Sequence, residues 1–393
     1  MREQRMAADE PVAEAGREFL LRDDVAFLNH GSFGACPRPV FETYQRWQRE
    51  LEAEPVEFLG RRVTALLDEA REALARTLGT AAGNLVFVPN ATHGANIVAR
   101  SLRLEPGDEV LGTDHEYGAV ERAWTFLCEP RGARYRAQPV TLPLGDAAAM
   151  VEQLWQGVTA RTRVIVVSHI TSPTAVRMPV AAICRRARAE GIVTLVDGAH
   201  APGQIPLDLE AIGADFYVGN LHKWVCAPKG AAFLYARPER QEMLQPLVVS
   251  WGWRAREPGP SLFQDYFGWT GTHDPSAYLS VPAAIAFQRE HDWVQVRSAC
   301  HALLARARSA IGELTGLPPI EPDSPDWYVQ MCAIPLPTAG LPANQLQARL
   351  FDEHLVEVPI TEWGGRRFVR VSIQAYNTER HVERLVAALR VAV

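Results

Sequence analysis

The chain has 393 residues and a formal net charge of −6, with 40 lysines and arginines set against 46 aspartates and glutamates. That length gives room for one large and one smaller domain with a substantial core, and the mixed charge argues against a nucleic-acid or membrane partner. No apolar run reaches the roughly 18 residues of a membrane span, and the opening MREQRMAADE is polar, so neither a signal peptide nor a spanning helix is expected. The cysteines at 36, 128, 184, 226, 300 and 332 are scattered without CxxC or metal-ligand spacing. They fit reduced thiols in a cytoplasmic protein with no metal site.

Residues 1–24 read as a charged lead-in, helical around 11–21. The apolar run Val25 to Leu28 then enters Asn29-His30-Gly31-Ser32-Phe33-Gly34, a glycine-rich turn where backbone can come close to a ligand. An amphipathic helix at 39–52 and a longer one at 63–78, closing on Gly79, come next. Residues 85–88 form a strand ahead of Asn90-Ala91-Thr92-His93-Gly94. Small residues and a hydroxyl between a strand and a helix make a phosphate cradle from helix N-terminal amides, although Asn90 also reads as a plain N-cap. The chain contains no GxGxxG fingerprint, which argues against a nicotinamide enzyme. Further strands are expected at 108–113, ahead of Asp114-His115-Glu116-Tyr117, and at 164–167, ahead of Ser168-His169-Ile170-Thr171-Ser172.

The stretch 193–229 is the most informative. Its apolar β-branched opening reads as a parallel strand covered on both faces, and Asp197 sits where it stops. A carboxylate at that end points into the crevice where α/β proteins bind ligands. A second apolar run, 214–219, leads to Asn220-Leu221-His222-Lys223. The whole sequence holds two lysines, Lys223 and Lys229, among its 40 cations. Arginine replaces lysine wherever charge alone is needed, but guanidinium stays protonated and is no nucleophile. The lysine kept at a strand end is therefore a candidate Schiff-base residue.

Asp197-Gly198-Ala199-His200, followed about 25 residues on by Asn220-Leu221-His222-Lys223, resembles the pyridoxal-phosphate enzymes of aminotransferase class V. The run FLNHGSFGACP at 27–37 resembles the isopenicillin N epimerase-like branch of that family. The resemblance covers about 25–380 and implies the fold-type-I transferase fold. That is an α/β architecture with a mostly parallel, seven-stranded-type sheet in a large domain at 25–280, and a small α+β domain at 281–393. It implies that Lys223 carries pyridoxal 5'-phosphate, that Asp197 keeps the ring nitrogen protonated, and that His200 reaches the ring hydroxyl. Ala91, Thr92, His93, Asn220 and His222 are implied at the phosphate, and Thr171 or Ser172 against the ring. Tyr117 takes the stacking position, with His115 the alternative. Asn29 and His30 are expected to face substrate, Arg370 to clamp a substrate carboxylate, and Thr272 to cross a homodimer interface to the partner's phosphate.

The reaction stays open at this stage, because small pocket differences decide which bond at Cα breaks. The closest resemblance implies epimerisation in natural-product biosynthesis, with Lys223 as base and His30, His115 or Tyr117 as the second acid. Alternatives are a C–S lyase acting by β-elimination on a cysteine conjugate, decarboxylation-coupled oxidative deamination, aminotransfer, and a non-catalytic binding protein that kept the fold.

Overall fold

A computed structural model describes residues 12–259 and 261–392 of the chain. A short first strand, β1 (Ala26–Phe27), precedes the strands of the main sheet: β2 (Leu85–Val88), β3 (Glu109–Thr113), β4 (Arg134–Gln138), β5 (Thr162–Ser168), β6 (Val193–Asp197), β7 (Phe216–Asn220) and β8 (Ala232–Ala236). Their order across the sheet is β2-β8-β7-β6-β5-β3-β4. Strand β8 runs antiparallel to both its neighbours, and the other pairs are parallel.

The sheet is covered on both faces. Successive side chains of a strand point to opposite sides, and the buried residues of the central strands sort accordingly. Ile165, Val167, Val196, Tyr217 and Phe233 join one apolar cluster, while Val164, Val166, Leu195, Val218 and Leu234 join the other. This double coverage is why these strands read as unbroken apolar runs. It also leaves the carboxyl ends of β3, β5, β6 and β7, at Thr113, Ser168, Asp197 and Asn220, as the edge where polar side chains can meet.

The C-terminal part carries β9 (Met331–Leu336), β10 (Val356–Glu357), β11 (Ile360–Trp363) and β12 (Arg366–Ser372). Strands β11, β12 and β9 form an antiparallel sheet in that order. Strand β1 pairs in parallel with β10, and Asn29 bridges to Ser372. The Asn377 side chain donates to the Phe27 carbonyl at 2.8 Å. The chain's first strand is thus stitched to the C-terminal half, which carries the segment after it across to the edge of the main sheet.

That segment is the helix His30–Phe33, where an open turn was expected. The lead-in is helical at 12–17, shorter than the span 11–21 read from the sequence, of which Pro11 lies outside the described residues. The helix Val63–Leu78 ends on Gly79 at φ 63°, a left-handed cap that suits glycine. Residues 245–276 contain the helix Leu262–Gly268. No helix among the described residues is long and apolar enough to cross a membrane.

Candidate active site

At the carboxyl edge of the main sheet lies a cavity of about 170 Å³, lined by residues from six separate stretches of chain. Lys223, Asp197 and His200 share its floor. The Lys223 amine sits 3.2 Å from His200 Nε2. Burial, with the nearby Arg370 cation adding to it, lowers the amine to about 7, so it is substantially neutral under ordinary conditions. His200 is itself held neutral, well below the usual imidazole range, by burial and by the same cations. Its Nδ1 accepts from the Trp224 indole at 3.4 Å, which leaves Nε2 as the protonated nitrogen turned to the amine.

Asp197 is almost wholly buried, and burial raises it above the ordinary carboxylate range. Oδ1 accepts the Ala199 amide at 2.9 Å, while Oδ2 has no hydrogen-bond partner among the described residues. An acceptor kept free at a buried strand end fits a protonated ring nitrogen.

The other end of the cavity is the start of the helix Ala91–Ser101. Asn90 is its N-cap and accepts the His93 amide at 2.8 Å. Asn220 Oδ1 accepts the Ala91 amide at 2.9 Å, which turns the Asn220 amide group toward the opening. Among the described residues the Thr92 amide has no protein partner, and it lies beside its own hydroxyl and the His222 ring, both on the cavity wall. His222 donates through Nδ1 to the Ala231 carbonyl at 3.2 Å, and burial depresses it to about 4. Free amides at a helix start form an anion site. Amine, carboxylate and anion cradle therefore meet in one cavity, and this donor set fits pyridoxal phosphate. No group of three or more metal-binding side chains converges among the described residues.

Arg370 stands behind the cavity wall. It donates to the Ser172 carbonyl at 2.7 Å, to Ser172 Oγ at 3.1 Å and to Ser32 Oγ at 3.1 Å. Ser32 and Ser172 both line the cavity. The guanidinium has no carboxylate partner among the described residues, its buried Nε is unbonded, and burial lowers it to about 10. A buried cation without a counter-ion is costly, and a substrate carboxylate would satisfy it.

Several sequence expectations change place. His30 does not face the cavity: its Nδ1 meets the Tyr376 hydroxyl at 3.0 Å and its Nε2 the Lys223 carbonyl at 3.0 Å. Fully buried and depressed to about 3, it supports the lysine's backbone and is not free to exchange a proton with substrate. Asn29 likewise acts at one remove. It accepts from Ser32 Oγ at 2.5 Å and donates to Glu357 at 3.1 Å. His115 is buried between Thr174 and the Val140 carbonyl, 2.7 Å from each, and packs on Trp363. Tyr117 does line the cavity and is 47% exposed. Of the Thr171 and Ser172 pair, Ser172 faces inward, whereas Thr171 is fully buried against Thr174 and the Val176 amide. The His93 side chain lies in the adjoining groove with Asn96 and Arg100. Thr272 is exposed, away from the cavity of its own chain. Sequence reasoning missed Ser168, Ile170, Ala199 and Phe33 as lining residues, because none carries a chemical signature of its own.

The aminotransferase class-V family model matches residues 34–385. Isopenicillin N epimerase of Streptomyces clavuligerus is 38% identical over 96% of this chain and 97% of its own. That of Amycolatopsis lactamdurans is 36% identical over 96% and 98%. Putative L-cysteine desulfhydrase 1 of Oryza sativa subsp. japonica is 30% identical over 92% and 82%. Among solved structures, the cysteine desulfurase CsdA of Escherichia coli superposes with a TM-score of 0.79 at 24% identity, covering 97% of this chain and 99% of its own. An apo cysteine desulfurase of Thermococcus onnurineus NA1 gives 0.81 at 20% identity, over 96% of each chain. At those identities the structural likeness carries the fold, which is the fold-type-I arrangement expected from the sequence.

Proposed function

The chain belongs to the class V aminotransferase family of pyridoxal-phosphate enzymes, and we propose that it acts at Cα of an amino acid or amino-acid conjugate, as an isopenicillin N epimerase-like enzyme of natural-product biosynthesis. The observation that carries this reading is the near-neutral Lys223 amine in a cavity whose wall residues Ser32 and Ser172 are held from behind by the uncompensated Arg370. Together they suit a substrate that keeps its carboxylate while losing its Cα proton. Bound pyridoxal phosphate supplies the electron sink that makes that proton acidic. Lys223 takes the proton and His200 orients the amine. Arg370, steered by Ser32 and Ser172, holds the carboxylate. Epimerisation also needs an acid on the other face. Of the three candidates, His30 and His115 have both ring nitrogens committed to protein, and Tyr117 lines the cavity. We assign the second acid to Tyr117.

A C–S lyase is the second reading. It is favoured by the desulfhydrase-named relatives and needs only Lys223 as base. None of the six cysteines lines the cavity, which speaks against a desulfurase in which a cysteine takes up sulfur. The functional unit we propose is a cytoplasmic homodimer in which Thr272 reaches the partner's phosphate. Support comes from the exposed Val249, Trp251 and Trp253 on the stretch that precedes it.

Proton NMR in deuterated buffer, with a panel of L-amino acids and S-substituted cysteines, separates the reactions. The epimerase reading expects deuterium at Cα with both enantiomers recovered, and the Tyr117→Phe variant should exchange the proton yet return mainly the starting enantiomer. Pyruvate and a released thiol would replace this reading with the lyase. A product lacking the carboxylate would overturn the role given to Arg370.

A further inference from the structure

Glu116 is a buried carboxylate that the reaction above does not use. It follows β3 in the chain and reaches back between the ends of two neighbouring strands. Its Oε1 accepts from Thr113 Oγ1 at 2.6 Å and more distantly from the Thr113 amide at 3.4 Å. Its Oε2 accepts from the Ser168 amide at 2.7 Å and from Ser168 Oγ at 2.6 Å. Both oxygens are therefore filled by donors, the arrangement that suits an ionised carboxylate. Yet among the described residues no cation pairs with it, and only 7% of the residue is exposed.

Its position explains why this matters. Ser168 and Asp197 are direct register partners on β5 and β6, and both line the cavity. The titratable groups that face Glu116 are Asp197 itself and Tyr135 on β4. A charge on Glu116 thus lies behind Ser168, next to Asp197, the cavity-lining carboxylate whose Oδ2 has no partner among the described residues.

We propose that Glu116 is a positioning residue for the cofactor ring: it fixes Ser168 and adds a second negative charge behind Asp197, so that the protonated ring nitrogen is held more tightly. Burial and the Asp197 charge raise Glu116 to about 7, so its charge switches between pH 5.5 and 8.5. The inference rests on pyridoxal phosphate occupying this cavity and is independent of which bond the enzyme breaks.

The test is the affinity of the apoenzyme for pyridoxal phosphate, read by quenching of tryptophan fluorescence at pH 5.5 and 8.5 in wild type and Glu116→Gln. The glutamine is isosteric and keeps an oxygen for the Ser168 amide. At pH 8.5 the variant lacks a charge that wild type carries, and its dissociation constant should be about tenfold weaker. At pH 5.5 wild-type Glu116 is protonated, and the ratio should fall to about one. The same ratio at both values would make Glu116 a packing residue and overturn the proposal, as would no change at either. Failure of wild type to bind at all would instead overturn the placement of the cofactor. Should Glu116→Gln not fold, Ser168→Ala decides. It strips one donor from the carboxylate, so the pH at which affinity changes should move upward, and an unmoved transition overturns the proposal.

Discussion

Lys223 can add to a carbonyl only as the free amine, and what sets its proton affinity is its neighbourhood. Burial is the largest cause of its fall to about 7, and the Arg370 cation is the next. Rapid-mixing absorbance of apoenzyme with pyridoxal phosphate should therefore show the rate of covalent capture rising with pH to a plateau, with its midpoint near 7. An ordinary exposed lysine would place that midpoint at about 10.4. Removing the cation lets the amine hold its proton more strongly, so Arg370→Gln should shift the midpoint to higher pH and slow capture at pH 7. A midpoint that ignores Arg370 would mean that burial alone tunes the lysine. The same reasoning separates the histidines. His200 matters through one nitrogen turned to the amine, whereas His30 has both nitrogens committed to protein and acts only on the lysine's backbone.

The glycine-rich segment shows how an element can matter without touching substrate. Gly34 has φ 69°, and a Cβ there would lie 2.0 Å from the His222 carbonyl oxygen and 2.8 Å from the Lys223 Cα. The Lys229 amine donates to the Gly34 carbonyl at 2.9 Å and pins the two strips of backbone together. Gly34→Ala combines a left-handed backbone with overpacking and should cost about 2–4 kcal/mol. A thermal melt should show the loss, along with weaker retention of the cofactor, since the displaced strip is the one that carries Lys223. A wild-type melt would mean that the segment lifts away freely. The closeness of these strips was only half visible in the sequence. FLNHGSFGACP announced a close backbone approach, but what it approaches lies about 190 residues onward and follows only once β1 is seated on β10. Asp197 and Lys223 were legible because rare chemistry at the end of a buried strand is a local signal. The true settings of His30 and His115 were not, since a histidine's burial depends on partners such as Tyr376 and Trp363 from distant parts of the chain. Strand β4 was also missed. Its sequence Arg-Tyr-Arg-Ala-Gln has no apolar run, because it is the sheet's last strand and its arginines reach the buried Glu109.

At the scale of the whole molecule, a threonine expected at a phosphate stands exposed on the surface of its own chain, on a stretch that also shows Trp251 at 84% exposure. A second copy would reconcile the two, since a two-fold interface lets each chain complete the other's site. Mixed dimers test this directly. Lys223→Ala has no amine in its own cavity but an intact Thr272, and Thr272→Ala has the reverse. If Thr272 serves the partner, the heterodimer contains one site lacking both groups and one site with both restored. Co-expressing the two variants under separate affinity tags and isolating the doubly tagged species should then recover about half of wild-type activity per dimer, together with one tightly held cofactor. If Thr272 serves its own chain, every site in the heterodimer lacks one group, and activity should stay at the level of the Thr272→Ala parent or below. Mixing the purified variants without co-expression adds a second reading. Slow or absent recovery would mean that the interface is large and permanent, and rapid recovery would mean that the chains exchange, so that the site is assembled only while two copies are paired.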